Sequence, residues 1–320
     1  MIAKSNFVDE GDCLMEIIVS KFKKVADFCY ELFRIAEIPM HFSKYSNKLY
    51  SNYKHLFLLV YKQSRKFTFE ELLTDLADNL TLRAYLGLDK LPHYTTLIKF
   101  AQKLPNMVLD KLLSAFKSLI APPKRVAIDS TGISLDNASP HYCKRIGLLF
   151  KKRPFLKSTF IVDIEQYIIL LCKNRKKTRH DTVDAKPLIK RLSEIYEPEV
   201  FYADRGYDDE EVFKLVFENL NAYPLIFQKR QNVPKHRRQG LYRKKTFSEF
   251  DYCEYLQRNK IETVNSMFKK RFGSSIKAKT NKTQKFEMLT RIIAFNIDRL
   301  IRTGKEIVVL ITIRLTRVSY

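Results

Sequence analysis

With 320 residues, 45% of them hydrophobic and 12% aromatic, the chain can form two ordinary domains and bury a core, which excludes global disorder. Its 58 Lys and Arg stand against 35 Asp and Glu, a net charge of +23, so an anionic partner is expected. The five cysteines are odd in number and never spaced as C-x-x-C, which argues against a disulfide framework or a zinc finger.

The first residues carry Asp9, Glu10 and Asp12 where a signal peptide would be basic, and no apolar run approaches the ~18 residues of a membrane span. A protein that stays in the cell, makes no membrane contact and works in the cytoplasm on the nucleoid is therefore expected. From Leu14 to about Leu119 the apolar spacing is helical, as in Met15-Ile18-Val19-Phe22 and Leu56-Leu59-Val60. Residues 1–120 thus read as a helical N-terminal domain. Within it, helices over Phe69–Leu80, Leu82–Leu86 and Thr96–Leu104, with Gly87 between and Lys99 and Lys103 on the last, fit a helix-turn-helix at about 69–104. An ordinary helical bundle fits equally well.

At Ala121-Pro122-Pro123 the pattern changes to short buried strands, so a second domain is expected over 121–305, with a tail of unassigned role at 306–320. Val126–Asp129, Phe160–Asp163 and Tyr167–Cys172 resemble an antiparallel meander, the last two joined by a turn at Ile164-Glu165-Gln166. A helix over Asp181–Ile195, a strand over Val200–Ala203, a helix over Asp208–Leu220 and a strand at Leu225-Ile226-Phe227 complete a mixed α/β sheet. Asp181, which follows His180, is expected to cap its helix. His141 and Cys143 have no second ligand pair and do not make a zinc site. Long helices are expected over Tyr252–Phe272 and Gln284–Arg302.

The charge is concentrated in this second half, which holds a net +19 against +4 for residues 1–120. Lys229–Lys245 has eight positive side chains and no acid, and Lys269–Lys285 has seven and none. Both runs contain Gly or Pro and read as loops on a scaffold, the first a basic insertion at about 229–251. Arg237, Arg238, Lys244 and Lys245 are the expected phosphate contacts there, because each neutralised phosphate releases a condensed counterion.

Asp129 follows Val-Ala-Ile and precedes Ser-Thr-Gly, while Asp204 follows Val-Phe-Tyr-Ala and precedes Arg-Gly-Tyr. Each sits where a buried strand is expected to end. That is the placement a divalent metal needs, hard oxygens on a rigid element facing solvent, although either aspartate alone is also ordinary turn chemistry. In the segment from Tyr255 to Lys269, a continuous helix puts Tyr255, Arg258, Glu262 and Lys269 on one polar stripe within about 60°. Ile261, Val264, Phe268 and Phe272 form an apolar stripe roughly 100° away. Glu262 thus flanks the packed face, where it can lean toward the aspartates; an Arg258–Glu262 surface pair is the simpler alternative.

The Tyr-x2-Arg-x3-Glu-x6-Lys spacing around Glu262, with the segments Ala127–Gly132 and Tyr202–Asp208, resembles the prokaryotic insertion-sequence transposases that carry a DDE triad on a ribonuclease H-like fold. The resemblance covers roughly residues 55–300. It implies catalytic, metal-binding Asp129, Asp204 and Glu262 on an α/β, ribonuclease H-like mixed sheet with flanking helices, behind an all-α N-terminal domain. Two Mg²⁺ ions, replaceable by Mn²⁺, would activate the attacking oxygen and stabilise the leaving one. Arg258 and Lys269 would bind phosphates, and Tyr255 would pack on a sugar or orient Arg258. Beside Asp204, Arg205 and Tyr207 would meet a phosphate and a base. The implied partner is double-stranded DNA, both element ends and target, processed by a homodimer. A metal nuclease that cleaves without joining, and a catalytically silent DNA-binding descendant, are the rival readings. The short connection from Phe227 to the Glu262 helix leaves no room for a large β-rich insertion.

Overall fold

The computed structural model describes residues 10–45, 48–135, 145, 155–176, 179–229, 233–237 and 239–304. His141, Cys143, Arg238 and the tail at 306–320 lie outside the described residues. Six helices come first: α1 (Glu10–Ile35), α2 (Asn52–Arg65), α3 (Phe69–Asp78), α4 (Leu80–Leu86), α5 (Tyr94–Lys103) and α6 (Asn106–Ala115). Every residue of α2 from His55 to Tyr61 is buried, as befits a helix apolar on all sides. Caps set several of the other boundaries. Thr68 and Glu71 form a capping box at α3, and Gly87, at φ 58°, closes α4 in the left-handed conformation. α5 starts at Tyr94 and not Thr96, because the His93 side chain, accepting from the Thr95 N–H, caps it.

The sheet holds β1 (Arg125–Leu135), β2 (Phe155–Asp163), β3 (Ile168–Arg175), β4 (Val200–Ala203), β5 (Tyr223–Ile226) and the short β6 (Ser275–Ile276). Its order is β3-β2-β1-β4-β5, with β6 against the far end of β1. β1, β2 and β3 are antiparallel in turn, whereas β1, β4 and β5 run parallel. This is the ribonuclease H-like arrangement. The meander turn is fixed by Asp163, whose Oδ1 accepts from the Glu165 and Gln166 N–H groups, and by Tyr167 at φ 58°.

The remaining helices are α7 (Asp181–Ser193), α8 (Glu210–Glu218), α9 (Leu241–Phe247), α10 (Tyr252–Tyr255), α11 (Asn259–Phe272) and α12 (Asn281–Arg302). Three sequence expectations are corrected here. The basic stretch before Glu262 is not all loop: residues 241–247 are helical because Glu210 receives the Tyr242 and Arg243 N–H groups at the start of α9. Likewise, Lys269–Arg271 close α11 and Lys282 and Lys285 open α12. The helix expected over Tyr252–Phe272 is interrupted by a 3₁₀ turn at Leu256–Arg258, which tightens the winding between α10 and α11.

α12 joins the two halves. It packs on β3 on one side and on α1, α2 and α6 on the other, and the apolar core runs continuously through it. Its buried Asn296 accepts from the Ile169 N–H at 3.0 Å and donates to the Ile169 carbonyl at 2.8 Å, where the β2–β3 register shifts. Both backbone groups of an edge strand are thereby satisfied without another strand. No helix among the described residues is long and apolar enough to cross a membrane. Substituting Asn296→Leu strands both Ile169 groups and is expected to destabilise the fold by about 2–4 kcal/mol, measured by urea denaturation.

Candidate active site

Asp129 lies inside β1, opposite Phe160 of β2, not at the strand end that its sequence context suggests. β1 continues beyond it because β2 stays paired as far as Ser134, whereas its parallel neighbour β4 stops at Ala203, opposite Ile128. Asp204 is the next residue after β4. The register therefore sets Asp129 and Asp204 at one level on adjacent strands, where spacing is about 4.8 Å. Side chains alternate along a strand, so Arg125, Ala127 and Asp129 share a face with Tyr202 and Asp204.

The segment carrying Glu262 lies on that same face. At its start Glu254 of α10 accepts from Arg125 Nε at 2.9 Å and from the Tyr202 hydroxyl. Further along, Phe268 of α11 meets Phe160 edge-on, ring centroids 5.6 Å apart, and Asn265 Nδ2 donates to Asp129 Oδ2 at 2.9 Å. The helix is thus fastened beside Asp129 through Ile261, Val264, Asn265 and Phe268, all buried. Glu262 is 58% exposed and accepts from Arg258 Nη2 at 2.7 Å. The i,i+4 pair read as the simpler alternative is present, next to the aspartates.

Burial pushes the Asp129 carboxyl up to about 6, and the nearby Asp204 and Glu262 charges add to the rise while the Ser130 backbone and Arg258 oppose it. Asp204 and Glu262 are both within electrostatic reach of Asp129. Among the described residues, however, no three His, Cys, Asp or Glu side chains converge as a metal cage. The donor chemistry suits a hard divalent cation: carboxylate oxygens, no thiolate, and an Asn265 Oδ1 beside them that is buried with no hydrogen-bond partner.

Asp204 caps a 3₁₀ turn at Arg205–Tyr207 through a 2.6 Å bond from the Gly206 N–H. A Cβ at Gly206 would lie 2.9 Å from Asp204 Oδ1 and 3.2 Å from Asp181 Oδ2, so glycine lets two carboxylates approach the backbone closely. Asp181 is the first residue of α7, not its cap; His180 accepts from the Thr182 N–H instead. Asp181 pairs at 2.7 Å with Lys157, a buried lysine that also donates to the Arg179 carbonyl. Lys157 does not stand out in sequence and Asp181 reads there only as a helix cap, because the contact joins β2 to α7 across more than twenty positions.

The expected DNA contacts divide. Tyr207 offers no base-stacking face: its ring is 1% exposed and its hydroxyl bonds Ser130 Oγ at 3.1 Å, which in turn bonds Thr159. Tyr255 packs among Phe227, Phe250 and Tyr252, with the Arg258 guanidinium 5.9 Å from its ring centroid. Arg258 Nε is buried without a partner. Arg205 and Arg237 are exposed and Lys269 is partly so. Lys244 and Lys245 sit on helix α9, with Lys245 over the Phe217 ring at 4.8 Å. Their neighbour Arg243 is structural, bound at 2.7 Å to the buried Asp208.

The family model described as transposase DDE domain matches residues 120–297, more than half of the chain. Among solved structures, the chain is similar to a piggyBac transposase in a synaptic complex with hairpin DNA. The two are 11% identical, with 92% of this chain and 77% of that chain covered and a TM-score of 0.46. No curated protein matches the chain. By the match over its catalytic half, the chain belongs to the transposase DDE domain family.

Proposed function

We propose that this transposase binds the ends of an insertion sequence and catalyses Mg²⁺-dependent DNA cleavage and strand transfer, with Asp129, Asp204 and Glu262 as its triad. The family uses divalent metal ions; we assign two to this site, with Mn²⁺ able to replace Mg²⁺. One observation carries the assignment: the parallel register sets Asp129 and Asp204 side by side, and α11 lays Glu262 on the same face. When bound, the ions supply charge to activate the attacking oxygen, water or a DNA 3′-hydroxyl, and to stabilise the leaving oxygen.

The protein's own groups do the rest. Asn265 and the Gly206 N–H hold the two aspartates in place. Arg258 neutralises Glu262, and its guanidinium is the fork for a flanking phosphate once Glu262 turns to the ions. Tyr255, packed in its aromatic cluster, keeps the guanidinium in place, and Lys269, two turns beyond Glu262, reaches a flanking phosphate. Arg205, Arg237, Arg238, Lys244 and Lys245 contact the DNA backbone. Helices α3–α5, with exposed Lys99 and Lys103, recognise element ends as a helix-turn-helix. The active form is a homodimer on paired ends, at work on the nucleoid. A nuclease that never joins would cut but fail strand transfer from a pre-cleaved end, and that assay separates the two readings.

Asp129→Asn, Asp204→Asn and Glu262→Gln keep side-chain volume and remove negative charge. Each is expected to lower Mg²⁺-dependent cleavage of labelled end DNA at least ~10³-fold, about 4 kcal/mol of barrier, with the circular dichroism spectrum unchanged. Near-native cleavage by any one of them removes that residue from the triad.

Replacing Arg237, Arg238, Lys244 and Lys245 with Ala is expected to weaken random and end DNA alike. The slope of log affinity on log salt should flatten by up to ~0.9 for each phosphate that is no longer neutralised. Lost selectivity with unchanged random-DNA affinity would make this stretch a sequence reader. Light scattering is expected to give one protomer or a weak dimer for the free protein, and two protomers on a pair of ends. A single protomer holding both ends contradicts the dimer.

A further inference from the structure

Asn265 stands three residues after Glu262 on α11 and is buried with Ile261, Val264 and Phe268. Its Nδ2 donates to Asp129 Oδ2 at 2.9 Å, while its Oδ1 is buried and accepts no hydrogen bond. A buried acceptor without a donor is destabilising, and in native proteins it marks a place where an ion, a water or a functional demand is met. Leucine has nearly the same shape and would suit the apolar neighbours better. The amide therefore stands against packing preference, with its Nδ2 on a carboxylate of the triad.

We propose that Asn265 is a positioning residue of the divalent-cation site: Nδ2 fixes the Asp129 carboxylate, and Oδ1 accepts a hydrogen bond from the cation's hydration shell. Divalent ions of the Mg²⁺ type keep several waters, and those waters need acceptors. An amide meets both demands at once. It donates to the carboxylate and accepts from water, whereas an aspartate here would place a second negative charge against Asp129. The inference rests on the triad reading and adds a residue to it that contacts no metal itself.

The test uses the full chain and Mn²⁺ alone, with binding followed by loss of the free-ion paramagnetic resonance signal and melting followed in EDTA. Asn265→Leu is expected to bind Mn²⁺ about 10–100-fold more weakly, the usual cost of losing an outer-shell partner, while melting in EDTA at or above the native temperature. Native Mn²⁺ affinity, or equal losses of affinity and melting temperature, would overturn the proposal. Asn265→Asp decides the matter if the Leu variant fails to fold. It should melt lower than native in EDTA and recover in excess Mn²⁺; no recovery counts against the proposal. Asp129→Asn separates the two levels of the account. If it loses Mn²⁺ while Asn265→Leu keeps it, only the role of Asn265 fails, but if it keeps Mn²⁺ as well, the triad reading fails too.

Discussion

The candidate active-site face depends on a mismatch of strand lengths. β1 is paired over nine residues with β2 but over only four with β4, so its central residues are held rigidly on one side and released on the other. Asp129 falls at the first position past the end of β4 pairing, and Asp204 is the first residue past β4 itself. Two acidic side chains are thus placed together by backbone hydrogen bonds that neither contributes to. The repulsion between them is tolerated because the sheet, α11 and the Gly206 N–H hold their positions independently.

The third carboxylate arrives by a different route. α10, the 3₁₀ turn and α11 climb one face of the sheet, gripped low by Glu254 on Arg125 and Tyr202 and high by Phe268 on Phe160. Glu262 lies between these grips and stays exposed, with Arg258 as its counter-ion. In the proposed reading, a rigid pair of aspartates and an exposed, cation-balanced glutamate supply the carboxylates of a metal-dependent phosphoryl-transfer site.

Much of this was legible in sequence. Short β-branched runs marked the strands, and the two aspartates were visible at their polar junctions. The Tyr255–Lys269 spacing carried the helix that Glu262 needs. Other features depend on contacts between residues far apart in the chain. Periodicity could not show the 3₁₀ turn at 256–258, nor that β1 runs past Asp129, since pairing with β2 decides that. Tyr207 reads as a free aromatic beside Asp204 until Ser130 claims its hydroxyl. Arg243 reads as one more DNA-binding cation until Asp208 takes it into an ion pair. Asn265 gave no signal, because an asparagine amid Ile261, Val264 and Phe268 looks like a gap in the apolar stripe.

Anomalous diffraction from crystals soaked in Mn²⁺ tests the central claim most directly, since it locates the ion without relying on turnover. The account expects Mn²⁺ on the face shared by β1, β4 and α11, where Asp129, Asp204 and Glu262 would hold it, with Asn265 still bonded to Asp129. Mn²⁺ bound only at other carboxylates, such as the Asp181–Lys157 pair, or absent from the face shared by β1, β4 and α11, would contradict it.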